Sequence, residues 1–362
     1  MTPFTSRPGA VTGDAGILHY GNPLGEQRRL AEGAAIVDRA DRRVLAVTGP
    51  DRLTWLDSIA SQALAALEPG RGTELLILDP QGRVEHAASV VDDGETTWLI
   101  VDEGDAPGLG AWLRRMVFRS RVEVRDEADA AVIGFAGDGA ARLAVAAAAP
   151  DAVVWVDPWS GVTPGGWQYA HVDPHPGASL AWREAIVPAA ARDALAEADT
   201  PVAGLLAAEA LRIAAWRPRW ANEVDERSLP HEVDWLRSAV HLSKGCYRGQ
   251  ETVAKVHNLG HPPRRLVMLH LDGSDSVLPD AGAPVLSGDD VVGTVTSSAL
   301  HYEDGPIALA IITRRVADDA PLTVRADDTL IAAGQEVIVP ADAGATASVP
   351  RLPRLNRRAP AR

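Results

Sequence analysis

Short strands broken by Gly, Asp and Pro follow one another about every ten residues from Leu266 onward. A run of short strands leaves unpaired edges unless the sheet closes on itself, and a small barrel is the compact way to close it. We therefore predict a C-terminal β-barrel over residues 264–340.

The chain before the barrel mixes both kinds of element. Its apolar periodicity predicts helices that alternate irregularly with strands, and a Gly-containing turn between two of the strands at 79–82 predicts a hairpin. Asp51 is expected to cap the second helix. Long strand-helix alternation of the doubly wound kind is absent, so two mixed α+β units are predicted. The predicted helices are 24–36, 51–60, 108–118, 139–149 and 202–215, and the predicted strands are 43–47, 74–78, 84–91, 96–104 and 132–137.

The two ends of the chain have a different composition. Residues 1–16 are polar and rich in Gly, Thr and Pro, and residues 341–362 are rich in Pro and Arg without periodicity. Such segments bury too little apolar surface to order themselves, so both are expected to be flexible tails.

Composition excludes several classes of protein. An apolar fraction of 46% is typical of a globular protein, and no stretch approaches the roughly 20 apolar residues that span a bilayer. The first thirty residues lack a secretory signal and a single cysteine cannot form an internal disulfide, so a cytoplasmic location is expected. The formal net charge of −14 argues against strong direct binding of nucleic acid.

The octapeptide KGCYRGQE, residues 244–251, carries the most unusual chemistry and is called the cysteine loop below. It holds the only cysteine and one of only two lysines in the chain. Cations on both sides of Cys246 favour the thiolate, so we predict a partly exposed, reactive thiol with Lys244 as its catalytic neighbour. The alternative is a buried cysteine that acts as a small hydrophobe. The other members of the loop are Gly245, Tyr247, Arg248, Gly249, Gln250 and Glu251.

KGCYRGQE resembles the signature of the YgfZ-type folate-binding proteins, relatives of the aminomethyltransferase (T-protein) of the glycine cleavage system. Two further segments are similar to T-protein segments: EALRIAAWRPRWANEVDERSLPHEV at 209–233 and VVGTVTSSALHYEDGPIALAII at 291–312. With the opening HYGNPLGEQRRLAEGAAIVD, the likeness covers about residues 17–330.

The resemblance implies an α+β fold with three domains in a ring around a central hole that holds tetrahydrofolate. The first α+β domain is discontinuous, over 17–46 and 130–258, and carries the cysteine loop. The second α+β domain covers 47–129, and the small β-barrel over 264–340 is the third.

Three departures from the T-protein pattern bear on activity. The Asp pair that follows the second-domain hairpin is replaced by Glu85-His86, the pterin-contacting Glu of RLEAG falls on Ala214, and the GYTGE segment has no counterpart. The catalytic acids of the transferase are thus missing from their expected positions. Whether the protein is an enzyme stays open at this point.

The resemblance also indicates which residues contact a folate. Arg212 and Lys255 are candidates for the carboxylates of the folate tail, and Trp216 for stacking on a ring. Asn222 and Glu223 match the polar loop that borders the ligand in the T-protein. For the polar residues the alternative is turn or cap formation, and for the tryptophan a place in the core.

No metal site is predicted. The histidine pairs in HVDPH (His171 and His175) and HNLGH (His257 and His261) have i,i+4 spacing. Pro174 and Gly260 argue against a regular helix that would bring both imidazoles of a pair to one face.

By resemblance, the favoured hypothesis is a folate-binding accessory protein that supports iron-sulfur cluster assembly or repair through Cys246. Its partners would be a folate and iron-sulfur proteins or their assembly factors. The alternative is a tetrahydrofolate-dependent aminomethyltransferase or related one-carbon transferase, and a weaker alternative is a tRNA-modification accessory protein.

Overall fold

Two five-stranded sheets and a closed six-stranded barrel form the core of the protein in a computed structural model, which describes residues 3–347. The helices are α1 (Pro23–Ala31), α2 (Arg52–Ile59), α3 (Ala106–Met116), α4 (Ala140–Ala148), α5 (Ala189–Glu197), α6 (Leu205–Ala214), α7 (Trp220–Glu223) and α8 (Gln250–Leu259). The strands are β1 (Val11–Gly13), β2 (Gly16–His19), β3 (Ile36–Asp38), β4 (Arg42–Thr48), β5 (Gly72–Leu78), β6 (Val84–Asp92), β7 (Thr96–Asp102), β8 (Glu123–Asp126), β9 (Ala130–Ala136), β10 (Val153–Val156), β11 (Trp182–Pro188), β12 (Val202–Ala203), β13 (Arg264–Leu271), β14 (Pro284–Ser287), β15 (Asp290–His301), β16 (Gly305–Thr313), β17 (Leu322–Ala326) and β18 (Thr329–Val337). Short 3-10 helices lie at Pro3–Ser6, Pro158–Ser160, Pro176–Ser179, Pro230–Val233 and Trp235–Arg237.

The first sheet has the strand order β10-β11-β9-β3-β12, and its neighbours are antiparallel except β12, which runs parallel to β3. Helices α4 and α5 pack on it, because Val145 and Leu195 share a core with Ile133 and Val187 of the sheet. Alanine makes up most of α4 and has the highest intrinsic helix propensity, so the sequence favours this helix locally.

The second sheet has the order β5-β6-β7-β4-β8, with every neighbouring pair antiparallel. The predicted turn at 79–82 is confirmed, since the Asp79 N–H donates to the Arg83 carbonyl (2.8 Å) and closes the β5-β6 hairpin. β4 pairs with β7 and β8, so the chain passes from the first sheet to the second between Asp38 and Arg42. The predicted boundary at residues 46 and 47 therefore lies inside a strand, because an apolar strand pattern does not say which sheet the strand joins.

Two helix predictions extended too far for one shared reason. The predicted helix over 24–36 ends at Ala31, and the predicted helix over 202–215 begins only at Leu205. Ile36, at the excess end of the first, begins β3, and Val202 and Ala203, at the excess end of the second, form β12; Val202 pairs with Ile36 and Ala203 with Val37. A short apolar run cannot be assigned to helix or strand by periodicity alone.

The predicted barrel is confirmed. Its strands close in the order β13-β16-β15-β14-β17-β18, since β13 pairs with both β16 and β18. Along β13, Val267 and Leu269 face the barrel interior, whereas Leu266 and Met268 pack into the central core of the protein. The barrel thus shares its outer face with the rest of the chain.

Residues 3–16 are ordered, contrary to the expectation of a flexible tail over 1–16, of which residues 1 and 2 lie outside the described residues. Phe4 is fully buried among the residues of the first sheet and its helices. The Arg7 guanidinium donates to the carbonyls of Ala198 and Thr200, both at 2.7 Å. One aromatic and one arginine anchor a segment whose average composition is that of a loop.

The predicted C-terminal tail is ordered at its start. Ala343 is buried, and the Thr346 N–H donates to the His257 carbonyl (3.0 Å) at the end of α8. The rest of this prediction, residues 348–362, lies outside the described residues. Over residues 3–347, no helix has the length and apolar character required to cross a bilayer.

Candidate functional site

A cavity of about 410 Å³ lies where the two sheets, α6 and the segment from Arg217 to Asn222 meet. Its volume falls in the range of small-molecule sites. Apolar side chains form much of its wall, including the indole rings of Trp155, Trp182, Trp220 and Trp235. Flat rings of this kind suit a flat ligand.

Five arginines and five acids also line this cavity, and they pair with one another: Arg39, Arg42, Arg212, Arg217 and Arg219 with Asp41, Glu74, Asp102, Asp157 and Glu209. Arg219 bridges Asp41 (2.7 Å) and Asp102 (2.6 Å). Burial opposes the ionisation of Asp41, but Arg39 and Arg219 more than offset it and hold its pKa below the usual range. The wall is therefore densely charged and close to neutral in sum.

Arg217 ties three elements together at the floor of the cavity. Its guanidinium donates to Glu74 (2.7 Å) and to Asp157 (3.0 Å), and the Trp235 indole donates to the same oxygen of Glu74 (3.2 Å). A carboxylate that is buried and fully paired in this way contributes to shape more than to ligand binding.

Arg212 lines the cavity, as a folate contact would, but its five N–H donors all have partners within the protein. They are taken by Glu209 (2.5 and 2.9 Å), Glu223 (2.9 Å), the Arg217 carbonyl (2.6 Å) and Ser297 (2.6 Å). This geometry favours a structural role for Arg212 and leaves no free donor for the carboxylates of a ligand.

The other candidate folate contacts lie in different places. Asn222 lines the cavity and also a second cavity of about 210 Å³ beside the barrel, and Glu223 lines the second one. Trp216 is buried in the central core, where its indole N–H contacts the Met268 sulfur (3.0 Å). Lys255 is exposed on α8 and does not line either of these two cavities.

Lys244 is the most tightly held residue of the cysteine loop. Its side chain is 3% exposed, and its ammonium donates to the carbonyls of Asp57, Ala60 (2.9 Å) and Gln62 (2.7 Å) at the C-terminal end of α2. Burial lowers its pKa, against the opposing effect of Asp57. The three donors of the ammonium are thus used by three carbonyls, which places Lys244 as an anchor of the loop.

The second half of the loop is held by the β5-β6 hairpin. Arg248 forms a two-pronged ion pair with Glu85 of β6 (2.7 and 3.3 Å). Gly249 has φ +83°, and a Cβ there would lie 2.5 Å from the Asp79 carbonyl oxygen. Only glycine fits this close approach, which explains its place in the motif.

Cys246 itself is exposed, as predicted for a reactive thiol. The space around Gly245 is open, whereas Tyr247 is buried and the Lys244 ammonium lies 5.5 Å from its ring. Gln250 accepts a hydrogen bond from the Tyr247 N–H (3.3 Å), and Glu251 is exposed in the first turn of α8, where a negative charge is favourable. The loop therefore presents one free thiol on a fixed backbone.

One strand connects the loop to the cavity. Glu85 of β6 binds Arg248 through its side chain, and its carbonyl accepts from the Trp220 indole N–H (3.0 Å). Trp220 and Ala87 both line the cavity. The cavity wall and the cysteine loop are thus linked through β6.

Sequence reasoning missed three residues that build this site. Asp57 and Glu85 supply the partners of the two loop cations, and nothing in their local sequence marks them for that role. Glu209 lines the cavity, and its i,i+3 spacing to Arg212 on a helix was the available signal.

One histidine of each pair, His175 and His257, contacts aromatic side chains. His175 packs edge-on against Trp159 and Trp216, and the His257 ring nitrogen contacts the Tyr169 hydroxyl (2.9 Å). Among residues 3–347, no group of three His, Cys, Asp or Glu side chains could hold a metal ion.

Comparison with known proteins identifies the architecture. Residues 264–339 match the model of the glycine cleavage T-protein C-terminal barrel domain. The aminomethyltransferase T of the glycine cleavage system from Bartonella henselae superimposes with a TM-score of 0.74 at 19% identity, covering 93% of this chain and 95% of that one. The chain has the T-protein fold.

Curated relatives carry two kinds of name. Aminomethyltransferases from Nostoc sp. and Streptomyces avermitilis are 24% and 27% identical, over 81% and 82% of this chain and 80% and 82% of their own. An iron-sulfur cluster assembly factor IBA57 homolog from Mycosarcoma maydis is 26% identical over 63% of this chain and 55% of its own. The expected aminomethyltransferase-like fold is thus confirmed, and the relatives differ in function.

Proposed function

We propose that this protein is a YgfZ-type folate-binding accessory protein that supports the assembly or repair of iron-sulfur enzymes. The observation that carries the proposal is the exposed Cys246 on a loop fixed at both ends, which β6 links to the wall of a ligand-sized cavity. The likeness to an iron-sulfur cluster assembly factor supports the same direction.

Cys246 would supply the chemistry. A thiolate is the form of cysteine that binds soft metals and attacks sulfur, and one exposed thiolate can hold an iron or sulfur species transiently without forming a permanent cluster site. Lys244 donates to the Asp57 carbonyl and Arg248 donates to the Glu85 carboxylate. The role of these two cations is therefore to fix the backbone that carries the thiol.

The cavity residues fit the head group of a folate. Trp220, which is only partly buried, offers a flat face for a bicyclic ring, and Glu209 offers a carboxylate for its N–H groups. A reduced folate bound there would supply a carrier of one-carbon units or a mild reductant. The chain's own part is to enclose the ring, exclude water from it and hold it close to the cysteine loop.

A transferase is the second candidate, favoured by the relatives named aminomethyltransferase. The side chains at the position of the T-protein Asp pair argue against it, because neither of them lines the cavity. Glu85 is paired with Arg248, and the His86 ring nitrogen contacts Asp105 of the α3 N-terminus. Neither is placed to orient a folate in the cavity.

The test is genetic complementation in a strain that lacks this gene and is under oxidative stress. We expect Cys246→Ala to fail to restore the activity of iron-sulfur enzymes, and Ser243→Ala, a matched change just before the loop, to restore it. Full rescue by Cys246→Ala would refute the central role of the thiol. Formation of methylenetetrahydrofolate from an aminomethyl donor at enzyme-like rates would favour the transferase instead.

A further inference from the structure

Glu209 differs from every other acid that lines the cavity. Its side chain is 23% exposed to solvent, whereas the side chains of the other four acids are 7% exposed or less: Asp41, Glu74, Asp102 and Asp157. Glu209 lies on α6 and lines the cavity, and we take the exposed part of its side chain to face the cavity.

The carboxylate of Glu209 also has acceptor capacity to spare. It receives two N–H donors, both from Arg212, one on each oxygen. An ionised carboxylate has about four acceptor positions, so about two remain. By contrast, Glu74 and Asp102 each receive at least three donors from the protein.

The ion pair with Arg212 keeps this acceptor charged. Burial alone would favour the neutral acid, but Arg212 outweighs it and lowers the pKa of Glu209. Since all the donors of Arg212 have partners, the pair presents only acceptor positions to a ligand. A charged acceptor without a neighbouring free donor selects N–H groups and rejects carboxylates and phosphates.

We propose that Glu209 is the specificity-determining residue of the cavity, and that it accepts a hydrogen bond from an N–H group on the edge of a flat nitrogen heterocycle packed against the tryptophans. This inference rests on the proposed folate site and identifies how a pterin-like ring would be recognised there. The acid at 209 lies on the same helix as Ala214 but five residues earlier, so the carboxylate approaches the cavity from a different turn of α6.

Binding to three proteins tests the proposal by titration calorimetry, with quenching of the tryptophan fluorescence as a second signal. They are the full-length chain, Glu209→Gln and the control Glu103→Gln, which removes an acid from an exposed arginine pair outside the cavity. The probes are 6-methyltetrahydropterin, which carries the N–H edge, and quinoxaline, a bicyclic ring of similar outline without N–H groups.

We expect Glu209→Gln to bind 6-methyltetrahydropterin at least tenfold more weakly than wild type, since a hydrogen bond to a charged group is lost. Its weak affinity for quinoxaline should not change, and Glu103→Gln should match wild type with both probes. A merely structural role for Glu209 would weaken both probes alike and would overturn the proposal.

Two other outcomes are also decisive. If Glu209→Gln binds 6-methyltetrahydropterin as tightly as wild type, the role of Glu209 is refuted and the folate site stands. If wild type binds neither 6-methyltetrahydropterin nor tetrahydrofolate at millimolar concentration, the folate part of the proposed function fails, and this inference with it. Should Glu209→Gln not fold, Glu209→Asp keeps the charge beside Arg212 and withdraws the acceptor, and the same selective loss is expected.

Discussion

Replacement of Lys244 should have a large effect on stability, because its side chain is almost fully enclosed. Lys244→Met keeps the length of the side chain and removes the donors for the carbonyls of Asp57, Ala60 and Gln62. These carbonyls lie in the last turn of α2 and just after it, where a positive charge also balances the helix dipole.

The magnitude follows from two opposing effects. Hydrogen bonds from a charged donor contribute about 1.5–3 kcal/mol each, so three give a gross loss of about 5–9 kcal/mol. Removing a buried ammonium regains its desolvation cost of several kcal/mol, an effect seen in its lowered pKa. We expect a net loss of about 2–4 kcal/mol in the free energy of unfolding.

Urea unfolding measures this loss, and the rate at which a disulfide reagent modifies Cys246 reports the loosening of the loop. Arg248→Met is the control within the same loop, because its ion pair is about one-third exposed and should contribute less than about 1 kcal/mol. A surface substitution typically changes the free energy of unfolding by no more than about 0.5 kcal/mol. This account of the loop would be refuted if Lys244→Met lost less than that, or no more than Arg248→Met. Lys244→Arg should also be destabilised, since a planar guanidinium cannot match three carbonyls arranged around an ammonium.

Two further predictions concern stability. Burial raises the pKa of Asp234 to about 7, and one of its oxygens has no hydrogen-bond partner, so the native state holds a proton that the unfolded chain releases near its ordinary pKa. The contribution of Asp234 to stability should therefore fall as the pH rises from about 4 to 7. Asp234→Asn should gain stability relative to wild type over this range and be more stable at pH 8 by a few kcal/mol; a difference between the two proteins in urea unfolding that does not change with pH would contradict this. Phe4→Ala should cost about 3–5 kcal/mol, because Phe4 is fully buried, and an unchanged melting temperature would show that the N-terminal segment is not part of the core.

Features that are encoded within a short stretch of the chain can be predicted from the sequence. The barrel was recognised from the spacing of its strands, and the 79–82 hairpin from its turn residues, because both are encoded within a few neighbouring residues. The exposure of Cys246 was inferred from the motif as a whole. These inferences did not require knowledge of distant contacts.

Partners that are distant in sequence could not be predicted. Lys244 was expected to act on the thiol, but the carbonyls that receive its ammonium lie more than 180 residues earlier in the chain. Likewise, the sequence favours Arg212 as a ligand contact, whereas the fold surrounds its guanidinium with five protein acceptor atoms, one of them on the barrel. Side-chain chemistry fixes what such a residue can bind, but only the fold decides which partner is present.

The two-sided burial of β13 and β16 has a consequence for how the chain can be divided. Leu266, Met268 and Leu309 point out of the barrel into the central core. A fragment of residues 264–339 alone would therefore expose these apolar side chains to water. The barrel is thus a unit of sequence comparison without being a separate folding unit. A fragment that carries it alone should aggregate, and the remaining chain should lose the wall against which Trp216 and Ile213 pack.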